Sequence, residues 1–87
     1  MYEIHTTKAL DKTFEKLAKK SPSKIETIAK KVEEIAQNPN RYKNLRKPLQ
    51  HLKRVHIDNS FVLTFTVNYQ EKIVTLVDYD HHDKIYQ

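Results

Sequence analysis

The period of apolar and polar positions changes twice along this 87-residue chain. Tyr2-Glu3-Ile4-His5 alternates apolar with polar, which predicts a short first strand. From Thr7, a residue type that suits a helix N-cap, Ala9, Leu10, Phe14, Leu17 and Ala18 recur at helical spacing while Lys12, Lys16, Lys19 and Lys20 occupy other faces. Ser21-Pro22 ends that pattern and starts another, since Ser suits an N-cap and Pro the first helical position; Ser23 and Glu26 offer an alternative capping box. Ile25, Ile28, Ala29, Val32, Ile35 and Ala36 then form a stripe that stops at Asn38-Pro39. Two amphipathic helices joined by so short a turn make an antiparallel hairpin.

The second half changes period again. Leu52 to Ile57, Phe61 to Val67 and Ile73 to Tyr79 are three β-rich runs separated by short turns, which reads as an antiparallel meander. In the middle run Phe61, Leu63, Phe65 and Val67 fall on one face and Thr64 and Thr66 on the other, so one face of the sheet is core. The expected fold class is α+β in the order β-α-α-β-β-β. A helical hairpin packs on one face of a four-stranded sheet, followed by a short C-terminal tail, with residues 1–87 forming a single domain.

Composition narrows the chemistry. Cysteine is absent, which excludes both a disulfide framework and a thiolate zinc site. Glycine is absent too, so the backbone conformations it usually supplies are expected from asparagine, in Asp58-Asn59-Ser60 and Asn68-Tyr69-Gln70. No apolar run approaches the roughly 18 residues of a membrane span, and the N-terminal residues lack signal-peptide character. A cytoplasmic protein with no membrane partner is therefore expected.

The net charge is +5, and its placement matters more than its size. Between Arg41 and His56 lie Arg41, Lys43, Arg46, Lys47, Lys53 and Arg54, two histidines, and no Asp or Glu. The remaining ten basic residues are balanced by all eleven acidic ones, so this segment is a candidate phosphate-binding surface. On a strand here, Arg54 and His56 project side by side on one face and Lys53, Val55 and Ile57 on the other. If Val55 and Ile57 face the helices, Arg54 and His56 lie on the opposite face. A guanidinium beside an imidazole that titrates near neutrality suits phosphodiester chemistry, whereas a cross-strand hydrogen-bonding role for His56 fits the sequence equally well. The tail Asp78-Tyr79-Asp80-His81-His82-Asp83 contains good metal ligands. Strand alternation sends His81 and His82 to opposite faces, however, and no second ligand cluster completes a site, so neither a metal nor another cofactor is expected.

The stretch Lys47-Pro48-Leu49-Gln50-His51-Leu52-Lys53-Arg54-Val55-His56-Ile57, together with His81-His82-Asp83-Lys84-Ile85-Tyr86, resembles the RelE/ParE superfamily of toxins from type II toxin–antitoxin systems. Within it the chain is most similar to the RelE-like messenger-RNA interferases. The resemblance rests on the K-P-L-x-x-L junction, the strand pair usually written R-x-R-x-G-D-Y-R-V-I-Y, and an H-R-x-x-V-Y-like tail. No one motif is highly specific; order, spacing and length carry the match. It implies a metal-independent endoribonuclease that cleaves messenger RNA in the ribosomal A site by attack of a ribose 2′-hydroxyl on the adjacent phosphate. It also implies a RelB-like antitoxin that neutralises the toxin in a heterodimer or heterotetramer.

The chain departs from the family pattern where His56, Phe61 and His82 stand at positions usually occupied by Arg, and Asp58-Asn59-Ser60 replaces the G-D-Y turn. Some relatives use histidines in a similar strand motif and a similar H-x-x-x-aromatic tail. By that resemblance the candidate catalytic residues are Arg54 as phosphate stabiliser, His56 and His82 as acid and base in either order, and Tyr86 against the nucleotide. His81 is the alternative to His82. Lys43, Arg46, Lys47 and Lys53 are the candidate RNA-binding residues. The competing readings are a ParE-like toxin acting on DNA gyrase, which Phe61 favours, and a non-catalytic module that binds RNA or the ribosome.

Overall fold

A computed structural model describes residues 1–85. Its elements are β1 (Glu3–Thr6), α1 (Lys8–Lys20), α2 (Pro22–Gln37), a 3₁₀ turn at Pro39–Arg41, β2 (Lys53–His56), β3 (Phe61–Asn68), β4 (Ile73–His81) and α3 (His82–Ile85). The side chain of Thr7 accepts from the Leu10 amide and caps α1. Ser21 serves both helices: its amide donates to the Leu17 carbonyl at 2.7 Å, and Pro22 opens α2. Its hydroxyl makes no capping bond, so Pro22 and the reversal itself define the start of α2.

The sheet order is β1-β4-β3-β2. β2, β3 and β4 form the antiparallel meander, while β1 lies parallel to β4 at the far edge, where Glu3 pairs with Ile73 and Thr6 with Leu76. The helices bury one face. Leu10, Ile28 and Ile35 meet Val55, Ile57, Leu63, Phe65, Val74, Leu76 and Tyr79 in one apolar core. At Thr64/Phe65 the β3–β4 register shifts, so Thr64 opposes Asp78 but Phe65 opposes Leu76, and the extra β4 residue, Val77, lets both Leu76 and Tyr79 reach the core. Val62 and Thr64, facing the other way, are equally buried. The second face is therefore covered along its centre.

Side-chain oxygens organise the glycine-free turns. Asp58 Oδ1 accepts from the amides of Ser60 at 2.8 Å and Phe61 at 3.0 Å, and Asn68 Oδ1 accepts from Glu71 at 3.0 Å. Among the described residues the one positive φ, 57°, belongs to Lys72, at the end of the Asn68 turn, and to neither Asn59 nor Asn68. This corrects the sequence expectation. The position is fixed by pairing, since the Lys72 carbonyl accepts from the Glu3 amide at 2.9 Å and joins β1 to the sheet. A side chain with a Cβ pays for left-handed backbone, so Lys72→Gly is expected to raise unfolding stability by up to about 1 kcal/mol in urea titrations. Lys72→Ala is expected to give no gain.

Candidate active site

The segment between the helices and β2 folds back on the sheet edge. Asn44 bridges to Lys53, the Arg54 amide donates to the Lys43 carbonyl at 3.0 Å, and the Leu45 amide to the Leu52 carbonyl at 2.9 Å. The loop beyond is braced by Asn44 Nδ2, which donates to the Gln50 carbonyl at 2.7 Å, and by Leu49 N donating to the Arg46 carbonyl at 2.9 Å. A cleft of about 630 Å³ results, lined by Lys43, Asn44, Leu45, Arg46, Lys47, Pro48, Leu49, Arg54 and Ile85. Four of these nine residues are cationic and none is acidic, with Leu45, Pro48, Leu49 and Ile85 as apolar wall. Such a surface suits a phosphate backbone carrying a base.

The basic residues divide by strand parity. Arg54 opposes Thr64, which opposes Asp78; His56 opposes Val62, which opposes Asp80. Arg54 and His56 therefore share the face away from the helices, half-buried and exposed respectively. Lys53 takes the other parity and is not part of the cleft lining. Its ammonium donates to the Tyr42 carbonyl at 2.9 Å and to Asn44 Oδ1 at 3.1 Å. Lys53 thus braces the cleft from behind, off the face that carries Arg54.

The two tail histidines fall in different elements. β4 ends at His81, opposite Phe61, and His82 begins α3, pinned by donation from its amide to the Ser60 carbonyl at 2.8 Å. α3 then returns across the sheet and brings Ile85 into the cleft beside Arg54. His82 stands at the root of that return. His81 instead sets its ring edge-on to Phe61, with centroids 5.7 Å apart. Tyr86, the proposed nucleotide contact, lies outside the described residues. The premise that adjacent histidines here point apart does not hold, because the strand ends between them. Donor atoms of His81, His82 and Asp83 all lie within 4.8 Å of one another.

Phe61 explains its own departure from the family pattern. It stacks on Tyr79 with centroids 5.1 Å apart and planes 13° from parallel, and Lys24 of α2 places its ammonium 4.9 Å from the Phe61 centroid. The residue lies on the helix side, away from Arg54, so Phe61 takes no cation out of the cleft. Around it, the Ser60 amide first of all holds the Asp58 carboxyl below the usual carboxylate range. Partial burial opposes this, while the Phe61 amide, Lys24 and His81 reinforce it. Burial pushes the Tyr79 phenol up, helped by the Asp58 charge, and its hydroxyl is buried without a hydrogen-bond partner. Sequence reasoning missed Lys24, Asp58 and Tyr79 as a group, since only the α2–β3 packing brings them together. Phe61→Arg is expected to cost about 1–2 kcal/mol, by losing the stack and setting a second cation against Lys24, with no gain in RNA cleavage. Urea unfolding and a cleavage assay on the same preparation check this.

Comparison with known proteins gives this site its setting. Residues 4–86 match the family model of the ParE toxin of the type II toxin–antitoxin system parDE. The chain is 58% identical over 87 residues to RelE4 of Methanocaldococcus jannaschii, covering all of this chain and 93% of that relative. It is 56% identical over 86 residues to a protein of Methanosarcina mazei, covering 99% of this chain and all of that one. Among solved structures it resembles a metal-bound toxin from Helicobacter pylori, with TM-score 0.80 and 24% identity over 98% of this chain and 99% of that one. It also resembles the YoeB/ParE toxin from Agrobacterium tumefaciens, with TM-score 0.82 and 11% identity over 92% and 98%. The toxin–antitoxin complex RelBE2 from Mycobacterium tuberculosis gives TM-score 0.78 and 18% identity over 93% and 98%. At these identities the solved structures speak for the fold, whereas the family model and the archaeal relative span nearly the whole sequence: the chain belongs to the ParE toxin family of type II toxin–antitoxin systems and is a RelE-like toxin.

Proposed function

We propose that the chain is a ribosome-dependent endoribonuclease that cuts messenger RNA in the A site and so inhibits translation in the cytoplasm. The observation that carries this reading is the acid-free cleft, with Arg54 in its wall and His56 two residues further along the same face. Lys43, Arg46 and Lys47 hold the phosphates on either side of the scissile one. The ribose 2′-oxygen attacks the adjacent phosphorus and the bond to the 5′-oxygen breaks, leaving a 2′,3′-cyclic phosphate and a 5′-hydroxyl. Arg54 stabilises charge on the phosphorane. One of His56 and His82 takes the 2′-proton, and the other gives a proton to the leaving oxygen. Tyr86 packs against the nucleotide.

The proposed partner is a RelB-like antitoxin that covers the cleft with acidic side chains. Some of the solved structures it resembles are toxin–antitoxin complexes, among them RelBE2 from Mycobacterium tuberculosis and a heterotetrameric YoeB–YefM from Staphylococcus aureus. Induction of the toxin alone should arrest growth and produce messenger cuts, mapped by primer extension, and co-expressed antitoxin should abolish both. Ribosome binding without any cut would leave a binding module. A second reading, inhibition of DNA gyrase, is favoured by the ParE family model. A supercoiling assay run beside the translation assay separates the two. Cleavage should survive EDTA, since no step uses a metal ion.

A further inference from the structure

We infer that His81, His82 and Asp83 form a binding site for a divalent transition-metal ion at the root of α3. The three donors lie within 4.8 Å of one another, and the Asp83 carboxylate bridges them: Oδ2 is 3.6 Å from His81 Nδ1 and Oδ1 is 3.2 Å from His82 Nδ1. Ligands at metal bond lengths of about 2.0–2.2 Å are about 3.0 Å apart along an octahedral edge and about 3.4 Å along a tetrahedral one. The 3.2 Å spacing falls within that range, while the 3.6 Å spacing and the 4.8 Å outer limit exceed it, so closure takes side-chain rotations that draw the donors together.

The electronics agree. His81 Nδ1 accepts from the Asp83 amide at 3.3 Å, so it is the unprotonated nitrogen of its ring, and a metal would take its lone pair over from this long hydrogen bond. A carboxylate beside an unprotonated imidazole nitrogen favours a cation between them. Two imidazoles and one carboxylate select nickel, copper, zinc or ferrous ions over calcium or magnesium, which prefer all-oxygen sites. All three residues are at least partly exposed, so water can complete the coordination.

Binding has a consequence for the proposed nuclease, and this part rests on that reading. A metal held by His82 fixes that ring in the cluster at the root of α3 and withdraws it from the messenger. The metal is then an inhibitor.

The test uses the ¹⁵N-labelled full chain without affinity tags, titrated with Ni²⁺. Paramagnetic broadening should start at the amides of Asp80 to Lys84 at sub-stoichiometric metal. Asp83→Asn and His81→Gln should each weaken binding at least tenfold while leaving the spectrum dispersed. Broadening centred on His51, on His56, or on the His5–Glu3 pair of β1, where Nε2 and Oε1 are 3.0 Å apart, would overturn the site, as would unchanged affinity in both variants. Saturating Ni²⁺ should suppress messenger cleavage, with EDTA restoring it; undiminished cleavage overturns the inhibitory role. A chain that binds nickel at this turn and cuts no messenger in any condition keeps the metal site and overturns the nuclease reading.

Discussion

Replacing His56 and His82 together with Ala is expected to abolish messenger cleavage, and each single replacement to lower the rate by about 10²–10⁴-fold, the usual worth of an acid or base group. Both side chains are exposed, so neither loss should unfold the domain. Lys43, Arg46, Lys47 and Arg54 remain in the cleft, so RNA binding should persist while the chemistry fails. The two singles separate the roles through their pH profiles. A base must be unprotonated to act, so removing it flattens the rising acidic limb; removing the acid flattens the falling alkaline limb. Primer extension in a translating extract, with ribosome co-sedimentation as the binding control, reads both. Full cleavage by the double variant would sink the assignment.

That assignment depends on which face each residue occupies, and much of this was legible in the sequence. Alternation through Lys53-Arg54-Val55-His56 correctly sent Val55 to the core and Arg54 and His56 to the other face. The same parity set Phe61 with Leu63 and Phe65 on the core side, where it stacks on Tyr79. The family pattern, with its usual Arg at this position, gives no sign of that packing, and the parity was the better guide. Local capping was equally readable, because Thr7 acts on residues three or four away.

Long-range pairing was less accessible. β1 lies beside β4, parallel to it and some seventy positions away in sequence, and four residues carry too little pattern to choose a neighbour. Turn conformation misled in a different way. Asn68 looked like a substitute for glycine, but its side-chain oxygen organises the turn and Lys72 takes the left-handed backbone, because the Lys72 carbonyl must reach Glu3. The tail misled most. Treating His81 and His82 as one strand concealed the change to α3, which alone brings Ile85 to the cleft and draws both histidines around Asp83.

Phe65→Ala is expected to cost about 3–5 kcal/mol, the range for removing a fully buried aromatic ring. Its side chain has no solvent exposure, lies between Lys53 of β2 and Leu76 of β4 at the bulge, and meets Tyr42 edge-on with centroids 5.8 Å apart. A domain of this size has a total stability of only about 4–13 kcal/mol at ordinary per-residue values. With no cysteine there is no disulfide to offset the loss, so much of the population should unfold near 37 °C. The damage should also reach the cleft. Tyr42 contacts Phe65 with its ring and receives the Lys53 ammonium on its carbonyl, so the cavity loosens the brace behind Lys43 and Asn44. Phe65→Leu, which keeps most of the volume, should cost roughly half as much. Urea titration measures the energies, and temperature separates the causes. Cleavage by Phe65→Ala should recover on cooling as the folded fraction returns, whereas His82→Ala stays folded and inactive at every temperature.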